Sequence, residues 1–327
     1  MRIVDVHSHF YPKDYLEMLR RIVSNDSTPW GRHNAMALAG NIGGTPAMWE
    51  IEAHIDDMDA AGVEVQALSL SHPQAYLGEE RVAVEAARIT NDSLADVCAR
   101  YPTRFKGLAS LPLPHVEPAL KELDRAISIL GLHGVALGAN VRDIPLDDDR
   151  FLPIYRQINR LGLTIFLHPM TPPGYEELKD YNLSTAAGFL MDSAVAVLRL
   201  ANRGVFEENP DLNLIVPHLG SYLLSALERV GGGPTPRPVE AGARQRQARR
   251  PARDYLLGLY YDCVNPHLPF WKCAIETVGS DHIVFGTDYP FGTADTIQAY
   301  VRRVESLDLA TEEREAIFSG TADRILR

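Results

Sequence analysis

Along this chain, short runs of apolar and β-branched residues alternate with longer stretches in which apolar positions recur every three or four residues. The first run, Ile3-Val4-Asp5-Val6-His7-Ser8-His9, reads as a buried strand that stops at a His-x-His pair. Seven further strands are predicted at Val63–Ser69, Phe105–Leu113, Gly134–Val141, Leu163–Leu167, Asn213–Pro217, Gly258–Val264 and His282–Gly286. Helical spacing falls between them at Pro12–Asn25, Met48–Ala61, Glu79–Arg100, Val116–Leu130, Arg150–Leu161, Ala186–Asn202, Tyr222–Val230 and Leu268–Val278. Ala294–Ser306 and Glu312–Leu326 finish the chain as helices, and Trp30–Pro46 reads as a loop holding glycine and asparagine. Gly62, Gly131, Gly162 and Gly279 each part a helix from the next strand, where a left-handed cap suits glycine.

Strands alternating with helices pair in parallel through right-handed crossovers. Eight such units predict a (β/α)8 TIM barrel. A doubly wound sheet is disfavoured, because no strand runs into a G-x-G-x-x-G turn. At 327 residues and 46% hydrophobic content, residues 1–327 are expected to form a single barrel domain. The rhythm breaks at 231–254, which holds three consecutive glycines, four prolines and six arginines. This stretch reads as a mobile, solvated insertion; the functional alternative is a lid or partner contact whose basic charge steers an acidic substrate.

The formal net charge of −11 argues against nucleic acid or an anionic membrane as partner. Cys98, Cys263 and Cys273 form no C-x-x-C pair and are expected to be reduced thiols. There is no secretory pattern before the first strand, and no apolar run reads as a bilayer span, so a cytoplasmic protein is expected.

Barrel geometry gathers the strand ends at one mouth, where barrel enzymes keep their chemistry. His7 and His9, two apart on an extended chain, point the same way. His168, His218 and Asp288 end the fifth, sixth and eighth strands, with His72 and Asn265 in comparable places on the second and seventh. Three imidazoles and a carboxylate suit one divalent ion, Zn²⁺ foremost, with Mn²⁺ or Fe²⁺ as alternatives. His7, His9, His168 and Asp288 are assigned as ligands and His218 as acid/base, since a catalytic ion needs an open position and a titratable neighbour. On spacing alone, any of the four exchanges with His218.

Asp5-x-His7-x-His9, Leu167-His168-Pro169, Pro217-His218-Leu219-Gly220 and Gly286-Thr287-Asp288-Tyr289-Pro290-Phe291 carry a family resemblance. Together with Tyr101-Pro102-x-Arg104-Phe105 and Gly204-Val205-Phe206, they make nearly the whole chain similar to one branch of the amidohydrolase superfamily. That branch is named for aminocarboxymuconate-semialdehyde decarboxylase and includes γ-resorcylate and 5-carboxyvanillate decarboxylases and some ring-fission-product hydrolases. The resemblance implies the same metal ligands and His218 as the catalytic histidine. Relatives with two metals bridge them by a lysine on the fourth strand. Here that strand reads Gly134-Val135-Ala136-Leu137-Gly138, so a single ion is expected.

Two features of the name-giving decarboxylase are missing. Asn34–Trp49 holds no arginine, leaving Arg32 as the substitute, and Thr171–Thr185 holds no tryptophan, only Tyr175 and Tyr181. Asp192 stands where family members often carry a glutamate, either as a solvated helix-face carboxylate or as a residue holding His218. The reading is a mononuclear, divalent-metal-dependent, non-oxidative decarboxylase (carboxy-lyase) of an aromatic or unsaturated carboxylic acid, with no organic cofactor. Asp288 joins His218 in proton transfer, and His72, Arg32, Asp192 and Asn265 are the expected substrate contacts. The alternative is a hydrolase of a C–C, ester or lactone bond that uses the same ion to activate water; a non-catalytic binding barrel is the third reading. The partner is a small carboxylic acid, neither nucleic acid nor membrane, and a homo-oligomer, dimer or tetramer, stays open.

Overall fold

The apolar runs become the staves of one closed sheet in the computed structural model, which describes residues 1–232 and 239–326. The strands are β1 (Val4–His9), β2 (Val65–Ser69), β3 (Phe105–Ser110), β4 (Gly134–Gly138), β5 (Thr164–His168), β6 (Asn213–Val216), β7 (Tyr260–Asp262) and β8 (Ile283–Val284). They lie parallel and in chain order. The ring shuts between β8 and β1: Val6 N donates to Phe285 O at 2.9 Å, Asp288 N to His7 O at 2.9 Å and His9 N to Tyr289 O at 2.8 Å. The architecture is the (β/α)8 TIM barrel.

Val4, Val6, Val65, Ala67, Leu108, Ala136, Phe166, Ile215 and Val284 pack together as the barrel interior. The register of β1 against β2 shifts between Asp5 and Ser8. This bulge changes the parity of the strand: Val4 and Val6 fill the interior, and beyond it His7 and His9 turn to the mouth. Gly286 is required beside them, because a Cβ there would lie 2.9 Å from that of His7.

Around the sheet run α1 (Lys13–Val23), α2 (Pro29–Ala39), α3 (Ile51–Ala61), α4 (Glu80–Arg100), α5 (Val116–Ser128), α6 (Leu152–Arg160), α7 (Phe189–Arg203), α8 (Leu268–Val278) and α9 (Ala294–Glu305). The predicted loop at Trp30–Pro46 is instead α2 followed by a single turn, Asn41–Gly44. Thr28 starts it, its hydroxyl accepting from Gly31 N at 3.2 Å, with Pro29 in the first turn. Trp30, Leu38 and Ile42 then bury against Tyr11 and Tyr15, a tertiary gain that outweighs the glycines. The predicted helix Tyr222–Val230 shrinks to Leu227–Val230. The predicted strand Gly134–Val141 stops at Gly138, and Asn140–Val141 folds back antiparallel on Ile144–Pro145. Gly62 takes the expected left-handed cap at φ 74° and ψ 22°, whereas Gly279, at φ 84° and ψ 157°, makes an extended turn open to glycine.

One expectation needs correcting. The helical stretch Asp180–Arg203 is long and apolar enough to cross a membrane, with mean hydropathy 1.4 and half of that window buried. The buried half is a core face, through which Phe189, Ala196, Val197 and Leu200 pack inward. Part of the expected insertion at 231–254 lies outside the described residues. In its described part, Gln247 N donates to Asn202 O at 2.8 Å, beside the end of α7. Arg244 faces Asp147 at 3.7 Å, Arg249 faces Glu207 at 3.4 Å and Arg253 meets Glu228 at 2.6 Å, so local acids offset much of the charge.

Candidate metal centre

At the mouth, the nearest ligand atoms of His7, His9, His168 and Asp288 all lie within 4.8 Å of one another. Asp288 Oδ1 is 3.0 Å from the Nε2 of both His7 and His9. Each imidazole is turned inward by a bond on its other nitrogen. His7 Nδ1 donates to Asp262 Oδ2 at 2.6 Å, and His168 Nδ1 to Pro169 O at 2.8 Å. Ser69 Oγ gives its own proton to Ser8 O, so at 3.2 Å it accepts from His9 Nδ1. All three rings therefore direct Nε2 at one point, where a cation would take the place of any proton on it. His7 Nε2 is buried without a hydrogen-bond partner, an orphan that a cation would satisfy. The donor set fits a divalent ion.

Charge is arranged to match. Burial opposes a proton on His7, but the Asp288 and Asp262 carboxylates override it and push the group up to about 10. Burial pushes His9 down and His168 well down. Burial would raise Asp288, yet His7, His218 and His9 hold it well below the usual carboxylate range. Two carboxylates thus flank the His7 ring, Asp262 at Nδ1 and Asp288 at Nε2.

Asp262 was missed in the sequence. The predicted strand ran on to Val264 and nominated Asn265; the real one ends at Asp262, fully buried, which also accepts from Leu219 N at 3.1 Å and Val264 N at 3.0 Å. One carboxylate therefore orients His7 and anchors the turn after β6. That turn carries His218, with φ of 56° at His218, 54° at Leu219, 71° at Gly220 and 60° at Ser221. Such a left-handed run is costly for non-glycine residues and concentrates at functional sites. It sets His218 outside the ligand cluster, Nε2 3.8 Å from Asp288 Oδ2, with Nδ1 buried and unpartnered. Beneath the cluster, buried Asp5 accepts from His7 N at 3.1 Å, Thr287 Oγ1 at 2.6 Å and Gln66 Nε2 at 3.2 Å, tying β1 to its neighbours. Burial pushes Asp5 up to about 6.

A cavity of about 530 Å³ opens onto the cluster, walled by His33, His72, Phe189 and Phe291 and edged by Asn41, Ile42, Asn182 and Thr185. Of the expected substrate contacts, His72 lines it. Arg32 does not: its guanidinium pairs with Glu176 on the outside and donates to Ser27 O. Asp192 is neither solvated nor bonded to His218. It is buried, accepts from Met170 N at 2.8 Å and Asn140 Nδ2 at 3.0 Å, and is pushed up to about 7 by burial, so it braces the loop after His168. Asn265 lies beyond the strand end and accepts from His267 N at 2.9 Å. His33, Asn41 and Phe189 carried no sequence signal, because they sit on connections and not at strand ends; Phe291 stood in the Asp288 motif without a role assigned to it. A larger cavity, about 670 Å³, lies on the outer side of α7 beside Arg199 and Arg244 and shares no lining residue with the mouth.

Comparison with known proteins agrees with this geometry. The family model described as Amidohydrolase matches residues 4–327. The chain is 26% identical over 327 residues to 2-amino-3-carboxymuconate-6-semialdehyde decarboxylase of Dictyostelium discoideum, covering 98% of this chain and 90% of the relative. It is 30% identical over 282 residues to γ-resorcylate decarboxylase of a Rhizobium species, covering 82% and 81%. In fold it is similar to 5-carboxyvanillate decarboxylase of Novosphingobium aromaticivorans, solved with manganese and 4-hydroxy-3-methoxy-5-nitrobenzoic acid. That likeness has a TM-score of 0.89 at 23% identity over 99% of this chain and 96% of the other. With the ligand cluster at the barrel mouth and the family match running nearly end to end, the chain belongs to the amidohydrolase family.

Proposed function

We propose that this chain is a mononuclear, divalent-metal-dependent, non-oxidative decarboxylase of an aromatic or unsaturated carboxylic acid. His7, His9, His168 and Asp288 would hold the ion, which when bound supplies a Lewis acid for substrate oxygens. The observation that carries the reading is the cavity itself. The rings of His33, His72, Phe189 and Phe291 wall it, and its described lining includes no lysine or arginine. A planar acid entering it meets its charge partner at the ligand cluster and stacks between His33, His72, Phe189 and Phe291. The decarboxylases among the relatives support the same chemistry.

The bond from carbon to carboxylate breaks, its electron pair stays on the carbon, and that carbon takes a proton. Asp288 and His218, 3.8 Å apart at the cavity end, would pass this proton to the carbon. No electrons leave, so no redox cofactor enters the balance. The donor set suits Zn²⁺ and Mn²⁺ alike, and elemental analysis of the purified protein decides between them.

A hydrolase would use the same residues, and isotopes separate the two. Turnover in D2O is expected to place one deuterium on the vacated carbon, with CO2 released anaerobically. In heavy-oxygen water the organic product should hold no solvent oxygen beyond spontaneous carbonyl exchange. Incorporation of that oxygen without CO2 release would overturn the decarboxylase.

A further inference from the structure

The cavity at the mouth has a buried floor and an exposed rim. On the floor, His33, His72 and His168 are buried, and Phe189 meets the first two edge-on, ring centres 5.7 and 5.5 Å away. Two segments make the rim. α2 supplies Met36, Ala37 and Gly40, while the turn Ser184–Gly188 ahead of α7 supplies Ala186, with Leu190 just beyond it. Met36 lines the cavity and is still 48% exposed.

Charge is confined to the floor. The described lining holds no lysine, arginine or glutamate, and its single aspartate is Asp288 of the ligand cluster. The polar members of the rim, Asn41, Asn182 and Thr185, are neutral. Small side chains keep the rim open, since Ala37, Gly40 and Ala186 fill little of it. The turn Ser184–Gly188 is π-helical, a wider turn than the α-helix makes and one that gathers at functional sites. A benzoate anchored at the cluster reaches the rings of the floor, which leaves the apolar rim to whatever the acid carries on its opposite end.

We infer that the rim is a second subsite, which takes an uncharged apolar extension, alkyl or aryl, opposite the carboxylate of the acid. The site then selects long monocarboxylic acids over short ones and over dicarboxylic acids of similar length. This rests on the reading above only in requiring a carboxylate at the ligand cluster. Each CH2 group buried against Met36 and Leu190 is worth up to about fourfold in affinity. A second carboxylate in the same place gives up its water and meets no cation.

The test uses metal-loaded protein and benzoates that carry methyl, propyl or pentyl at position 3 or 4, set against benzoate itself and the 1,3- and 1,4-dicarboxylates. Binding is followed by calorimetry, with CO2 release assayed in parallel. In one of the two series wild type should tighten with each added CH2, by up to about fourfold per group, and it should bind the dicarboxylates more weakly than the propyl ligand. Ala186→Trp fills the rim at an exposed position and should bring the pentyl ligand down to the level of benzoate, with metal content unchanged. Met36→Arg, also at an exposed position, should tighten the dicarboxylates relative to wild type. The inference is overturned by equal binding along both wild-type series, a result that needs no variant to fold. It is equally overturned by dicarboxylates that match the alkyl ligands in wild type, by an alkyl gain that survives Ala186→Trp, or by Met36→Arg leaving the dicarboxylates unimproved. If the gain behaves as expected and no acid releases CO2, the decarboxylase reading falls and the subsite stands; CO2 release without the gain does the reverse.

Discussion

The two sides of the cavity are built differently. On the ligand side, His7, His9 and His168 sit on strands of a closed, hydrogen-bonded ring, and all three are buried. On the far side, the wall comes from α2, the turn Asn41–Gly44 and the start of α7, the first two held by side-chain packing around Trp30 and Tyr15. A strand end in a closed sheet has little freedom to move, which is what a ligand or proton donor needs. A connection can change length and composition without opening the barrel, which is where substrate choice is free to vary.

The contrast can be broken at several points. The largest effect is expected on the strand side: His7→Ala should remove both stoichiometric metal and activity while leaving the folded barrel, checked by elemental analysis and circular dichroism. Metal retained at full stoichiometry would show that the strand ends do not hold it. Next, His218→Asn should keep its metal and lose about 10²–10⁴ in turnover, the usual worth of positioned proton transfer. Metal loss in that variant would make His218 a ligand and remove one of the other four from the cluster. A smaller change is expected for Asp262→Asn, which leaves the ligands in place but weakens the partner of His7 Nδ1; metal affinity in a competition titration should fall about 10–100-fold. The smallest belongs to the connection side. Arg32→Ala should leave kcat and KM unchanged and cost at most about 1 kcal/mol in denaturant unfolding, as exposed ion pairs do. A rise in KM would bring Arg32 back to the substrate.

The same contrast explains what could be read from the sequence. Histidines and an aspartate closing apolar runs stand out because a strand end has one direction and the barrel gives it one destination, so His7, His9, His168, His218 and Asp288 could be grouped before any coordinates. Asp262 escaped by a boundary error: a polar residue ending Tyr260-Tyr261 looks like any other until the ring closure shows what faces it. Arg32 and Asp192 were nominated from the family resemblance, but the helical turn at α2 throws Arg32 outward and burial draws Asp192 under the loop after β5. The segment from Trp30 to Gly44 hid its helix because its glycines and asparagines weaken the pattern, and only packing on Tyr11 and Tyr15 decides the outcome.

Ring closure also has a consequence for when this protein becomes competent during its synthesis. His9 and Asp288 stand 279 positions apart, on the first and last strands, and the amide bonds that shut the barrel run from Asp288 to His7 and from His9 to Tyr289. Until the C-terminal part of the chain has left the ribosome and docked, the nascent N-terminus offers only a pair of imidazoles with no carboxylate opposite. If these residues hold an ion as proposed, its capture would follow ring closure, because the carboxylate and the first two imidazoles meet only in the closed barrel.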